Sequence, residues 1–168
     1  HEPIAQATGR AEAVRLATRI LDLDTQLATN HRSMTRLIKT TPAAELLNEC
    51  GIGTVTAAVV ITTWSHPGRV RSEAAFAALA GANPIPASSG NTQRHRLNRG
   101  GDRRLNQALH MAIITRMTHH DDTRSYVERR TQEGKTKREI RRCLKRYLAR
   151  RIHRHLTRAY TQTPLDET

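Results

Sequence analysis

The chain has 168 residues, a formal net charge of +13 and five aromatic side chains, Trp64, Phe76, Tyr126, Tyr147 and Tyr160. So few rings exclude RNA-recognition sheets and OB-folds, which stack bases on aromatics, and leave a core of Leu, Ile, Val and Ala suited to close-packed helices. Residues 94–158 hold 20 Lys/Arg and 6 Asp/Glu, so the whole positive excess lies in one segment, as a nucleic-acid footprint requires.

Cys50 and Cys143 are isolated, which gives neither metal spacing nor a disulfide framework and points to a reducing cytoplasm. No apolar run approaches the roughly 20 residues of a membrane span, and there is no signal peptide. The start at His1 suggests a fragment of something longer.

In chain order, Leu16, Ile20, Leu23, Leu27, Met34 and Leu37 follow alternating steps of four and three, with Asn30 in the remaining seam position. Residues 10–39 therefore read as one long helix, either a coiled-coil arm that pairs with another copy or an amphipathic helix packing on its own domain. Thr41-Pro42 predicts a helix start, carrying Leu46 and Leu47 and stopping at Gly51. Gly51-Ile52-Gly53 then leads into Val55–Thr63. This is a helix-hairpin-helix-like pattern whose turn amides could hold a phosphate without reading sequence. The alternative is a tight turn between two core helices.

Ser72 predicts a cap for a helix with Phe76 and Leu79, ended by Gly81. The Pro84–Gly90 loop follows, with Ser88 and Ser89, and then Arg94, His95, Arg96 and Arg99. Asp102 predicts a cap for a helix bearing Leu105, Leu109, Ile113 and Met117. Asp121 and Asp122 start the next, closed by Gly134. Thr136-Lys137-Arg138-Glu139 is a capping box that opens a final helix. Its apolar stripe is Ile140, Leu144, Tyr147, Leu148, Ile152, Leu156 and Tyr160, with Arg141, Arg142, Lys145, Arg146, Arg150, Arg154 and Arg158 largely off the stripe, a basic face expected to hold nucleic acid. No segment alternates as a strand does. The expected fold is all-α, with a helical arm over 1–40, a compact domain over 41–160 and a tail over 161–168. Within the domain the helix-hairpin-helix-like part spans 41–64, the serine loop 82–101 and the basic helices 102–160.

A serine hydroxyl is a weak nucleophile until its proton is taken or the charge it builds is stabilised. Attack on a phosphodiester piles charge on phosphate oxygens, and fixed guanidinium groups answer it. Arg94, Arg96 and Arg99, with Arg103 and Arg104 on the next helix's first turn, are close enough in sequence to serve, and His95 is a candidate proton acceptor. Ser-Ser-Gly taken alone is an ordinary turn. His119-His120-Asp121-Asp122 reads as a helix boundary, because four consecutive side chains rarely converge on one ion. No acidic quartet is present to hold two magnesium ions.

Ser72–Phe76, Gly81-Ala82-Asn83-Pro84, Ala87-Ser88-Ser89-Gly90 and Arg94–Asp102, with the later Tyr126–Arg130, Gly134-Lys135 and Arg142–Arg146, resemble the C-terminal transposase domain of the DEDD insertion-sequence transposases related to Piv-type DNA invertases. The resemblance runs from about Glu45 to Leu156. It implies a bacterial mobile-element recombinase that binds DNA, with some relatives guided by a structured RNA (bridge-RNA-type serine recombinases). It implies a serine nucleophile directly before a glycine, hence Ser89, with Ser88 as the alternative. Magnesium is expected in an N-terminal RuvC-like domain that this chain lacks, so the chain would hold half an active site and no metal of its own. Gly51, Gly53, Arg94, Arg96, Arg99, Arg103, Arg104, Arg141, Lys145 and Arg146 are the expected nucleic-acid contacts, and the 10–39 helix the expected homo-oligomer contact. The competing expectation is a non-catalytic helix-hairpin-helix binding module.

Overall fold

In a computed structural model, residues 3–87, 95–96, 98 and 100–162 are described. Their order is α1 (Ile4–Lys39), a 3-10 turn (Ala44–Asn48), α2 (Thr54–Trp64), α3 (Glu73–Leu79), β1 (Ile85–Pro86), β2 (His95–Arg96), α4 (Arg103–His119), α5 (Asp121–Gln132) and α6 (Lys137–Gln162). The chain divides into two compact units, His1–Leu37 and Ile38–Thr168. The all-α expectation holds: six α-helices, one 3-10 turn and one two-residue strand pair make up the regular structure of the described residues.

The first unit is nearly all α1. Its apolar side chains Leu16, Ile20, Leu23 and Leu27 are exposed. Short-range pairs support it along its length, such as Arg15 with Glu12 and Arg19 with Asp22.

In the second unit, α4 packs on α2, α5 and α6, and α6 packs on α3. Leu105, Leu109 and Ile113 of α4 are buried, as are Ile140, Leu148, Ile152 and Leu156 of α6. The predicted stripes are thus the core faces except at Tyr147, which is 57% exposed, and each fully buried large side chain contributes about 1.5–3 kcal/mol. Two rings close the core from α2 and α3. Trp64 packs on Tyr160 at 5.0 Å between ring centroids, and Phe76 lies 5.9 Å from the His153 ring. His153 Nε2 pairs with the Val70 carbonyl at 3.0 Å, so this histidine is part of the interior.

The predicted caps are present. Ser72 accepts from Ala75 N–H at 3.1 Å and Asp102 from Leu105 N–H at 2.8 Å. Glu139 accepts from Thr136 N–H at 2.9 Å, while Thr136 Oγ1 accepts from Glu139 N–H at 3.3 Å. At the His119–Asp122 boundary the cap of α5 is His120, whose Nδ1 accepts from Thr123 N–H at 3.3 Å.

Two expectations are corrected. No α-helix begins at Thr41-Pro42; Thr41 Oγ1 bonds back to the Ile38 carbonyl at 2.7 Å, and only a 3-10 turn follows. A strand pair also exists where none was expected: Ile85 pairs with Arg96 and Pro86 with His95, antiparallel. Two residues per strand are too few to alternate visibly in a sequence.

Candidate nucleic-acid interface and serine loop

The strand pair brackets the segment that carries the serines. Ser88, Ser89, Arg94 and Arg99 lie outside the described residues. Residues described on both sides of it, up to Ala87 and then His95, Arg96 and Asn98, flank a cavity of about 640 Å³.

Three separated stretches build that cavity. Asn83, Pro84, His95, Arg96 and Asn98 come from the loop legs, Arg130 and Lys135 from the α5–α6 junction, and Glu139, Arg142, Cys143 and Arg146 from α6. Arg142 and Arg146 are one helical turn apart, so they stand on the same face. Five Lys/Arg side chains therefore surround one carboxylate. That carboxylate, Glu139, is engaged by the Thr136 N–H and hydroxyl, which hold its pKa below the usual glutamate value. Such a surface attracts phosphate.

Behind the cavity wall, Tyr126 meets Tyr147 edge-on at 6.0 Å, with the Arg129 guanidinium 5.5 Å from its ring centroid. Burial, then the neighbouring Cys143 and Tyr147, push the Tyr126 phenol up to about 12. It keeps its proton near neutrality and is a poor nucleophile. On α4, burial and then the charges of Lys145 and Arg141 lower the pKa of His110.

The expected contacts divide. Arg96 and Arg146 line the cavity. Arg103 and Arg104 are exposed on the first turn of α4. Arg141 is half-buried, and its Nε is shielded from solvent without a hydrogen-bond partner. Lys145 is not on the surface: it is 9% exposed, its Nζ donates to Asn106 Oδ1 at 3.1 Å, and burial, then the Arg142 charge, lowers its pKa. Its position had a signal in the sequence, since it lies three residues before Leu148 and seven before Ile152, within the apolar stripe. Arg142, on the expected basic face of α6, also lines the cavity, while Arg130 and Lys135 are cavity residues absent from the expected contacts. All three lie in the later stretches that carry the family resemblance, Tyr126–Arg130, Gly134-Lys135 and Arg142–Arg146.

At the Gly-x-Gly turn, Gly51 has φ +80°, and a Cβ there would meet the Ala112 carbonyl oxygen at 2.5 Å. The glycine is required by the approach of α4 to the turn. Arg116 of α4 reinforces the contact. Its Nη1 donates to the Cys50 carbonyl at 3.1 Å and lies 3.5 Å from Glu49, which also accepts from Arg151. The Ile52 N–H is bonded to the Glu49 carbonyl at 2.9 Å. Packing thus accounts for Gly51 without a ligand. Gly53 is the exposed N-cap of α2, with open space around its Cα.

Among the described residues, no three His, Cys, Asp or Glu side chains gather to hold a metal ion, and no helix is long and apolar enough to cross a membrane.

No curated protein matches the chain. A family model, that of the IS116/IS110/IS902 transposases, matches residues 43–128. The matched stretch begins at the turn before α2, takes in the serine loop and α4, and ends within α5. With more than half its length matched, the chain belongs to the IS116/IS110/IS902 transposase family.

Proposed function

We propose that this chain is the serine-bearing part of a DNA recombinase of that family. In this reading it grips a DNA backbone in the basic cavity while Ser89, or Ser88 in its place, attacks a phosphodiester. The observation that carries the reading is the placement of Arg96, Arg130, Lys135, Arg142 and Arg146 around one cavity at the foot of the serine loop. The attack forms a serine Oγ–phosphorus bond and breaks the bond from phosphorus to a deoxyribose oxygen. The serine proton passes to a base, a role we assign to His95, which lines the same cavity, and the departing sugar oxygen takes up a proton. Arginines held beforehand around the phosphate stabilise the charge that grows on its oxygens.

The Piv-type relationship, a structured guide RNA as second polynucleotide and magnesium held by a separate acidic domain all follow the same resemblance, and a cytoplasmic setting follows from the isolated cysteines. The exposed apolar residues of α1 support pairing between copies, which suits strand exchange between two DNA sites.

The experiment is mass spectrometry of the protein–DNA adduct trapped from the intact transposase. The peptide spanning residues 87–94 is expected to carry the phosphodiester-linked nucleotide. Ser89→Ala should abolish the adduct with DNA affinity nearly unchanged. Persistence of the adduct in both Ser89→Ala and Ser88→Ala rules the reading out.

A further inference from the structure

We propose that Tyr147 is a stacking platform for an unpaired DNA base, set at the border of the basic cavity so that a strand rests a base on the ring while its phosphates lie among the arginines. The inference rests on the reading of the cavity as a grip on a DNA backbone and uses no property of the serines.

A tyrosine is apolar over most of its surface, and a helix stripe normally takes it inward. The other four rings follow that rule. Trp64 and Phe76 are buried, and Tyr126 and Tyr160 are half-buried. Tyr147 belongs to the stripe of α6 and yet stands open to solvent. Nor is it a loose surface side chain. Tyr126 of α5 meets it at 6.0 Å between centroids and 89° between planes, the edge-on geometry that aromatic quadrupoles favour. Tyr126 is braced in turn, with the Arg129 and Arg130 guanidinium groups 5.5 and 5.9 Å from its ring centroid, in range of cation–π attraction. An edge-on contact covers at most one face of the Tyr147 ring, and a stacking base needs only the other. A ring already held in place loses little freedom when a base lands on it.

The ring pair and the cavity share residues. Arg130 braces Tyr126 and also lines the cavity. Cys143 of the cavity wall stands one helical turn before Tyr147, on the same side of α6, and Arg146 of that wall is its neighbour in sequence. The charge around the ring selects its occupant. An apolar protein surface would bring nothing to answer the cavity's cations, whereas a base arrives with its own phosphate. Every base has a π face, so such a platform accepts any sequence. A base inside a duplex is already stacked on both faces and cannot use it. The ligand is therefore an unpaired nucleotide of a DNA strand, the species that strand exchange between two DNA sites creates wherever base pairs open.

The test is fluorescence titration of the full chain with two DNA probes of one sequence, an intact duplex and the same duplex with a short single-stranded gap that carries a fluorescent base analogue among its unpaired bases. Tyr147→Ala should weaken binding to the gapped probe by about 5- to 150-fold. It should leave the intact duplex near wild type and the salt slope unchanged, since no phosphate contact is lost. Tyr147→Phe keeps the ring and should bind both probes as wild type does. Binding should quench the base analogue with wild type and the Phe variant, and not with the Ala variant. Tyr147→Leu, apolar and helix-forming without a π face, should follow the Ala variant and carries the test if that variant fails to fold. Equal losses on the two probes, no loss on the gapped probe, or a Phe variant as weak as the Ala variant overturns the proposal. Arg142→Ala and Arg146→Ala run alongside. If neither weakens either probe, the reading of the cavity itself fails; if both weaken both probes while Tyr147→Ala weakens neither, only this proposal fails.

Discussion

Lys145 Nζ donates to Asn106 Oδ1 at 3.1 Å, joining α6 to α4. An ammonium group is thereby held in the interior within a segment whose other cations mostly face solvent. Holding it there has a pH signature.

Burial, then the Arg142 charge, keeps the Lys145 pKa below its usual 10.5. The native state therefore binds this proton less tightly than the unfolded chain. Between the lowered native value and 10.5 the unfolded state carries more protons, so stability rises with pH across that window; below it the cost of the buried charge is fully present. Lys145→Met is expected to flatten the rise. Urea midpoints measured on the alkaline side of neutrality check this, and an identical slope in the variant would count against it.

Gly51→Ala should destabilise the fold by about 1–3 kcal/mol, through a positive φ and collision with the α4 backbone. Gly53→Ala should cost less than about 1 kcal/mol, since its φ is −84° and no atom lies near. Denaturant unfolding of the two variants side by side separates them. Equal losses would mean that α4 does not press on the turn.

Arg142→Ala and Arg146→Ala should each weaken duplex binding and reduce the log–log salt slope by about 0.9. Arg150→Ala should change the slope less, because its Nε already bonds Glu73 at 3.0 Å. Fluorescence titrations over a range of salt concentrations provide the slopes. A larger effect at Arg150 than at Arg142 or Arg146 would move the interface away from the cavity.

Asp102→Ala removes the N-cap of α4 and should cost about 1 kcal/mol. Calorimetric unfolding measures the loss. A variant as stable as wild type would show that the Leu105 amide finds another partner.

Ile20→Asp with Leu27→Asp places charges on the exposed apolar stripe of α1. If copies pair through this helix, sedimentation equilibrium should show the double variant dissociating at concentrations where wild type associates. Wild type that stays monomeric throughout removes α1 as the assembly element.

Much of the helical framework was legible residue by residue. Ser72, Asp102 and the Thr136–Glu139 box mark helix starts because a capping hydrogen bond spans three residues. The stripes of α4 and α6 are visible because a helix repeats its face every few residues. The strand pair was not legible, since Ile85-Pro86 and His95-Arg96 are too short for a pattern. The cavity was legible only in part: Arg96, Arg146 and the basic face of the last helix that carries Arg142 were expected to meet nucleic acid, while Arg130 and Lys135 were not.

By itself, then, the sequence determined what depends on neighbours along the chain: helix type, helix starts, the apolar faces and the crowding of positive charge after residue 94. Tertiary structure decided what each cation is for. Arg142 and Lys145 are three residues apart on one helix, yet the first lines the cavity and the second is buried against Asn106. The spacing of Lys145 to Leu148 and Ile152 turns it inward, but the partner it meets there depends on what a distant segment brings to that face, which no local spacing encodes.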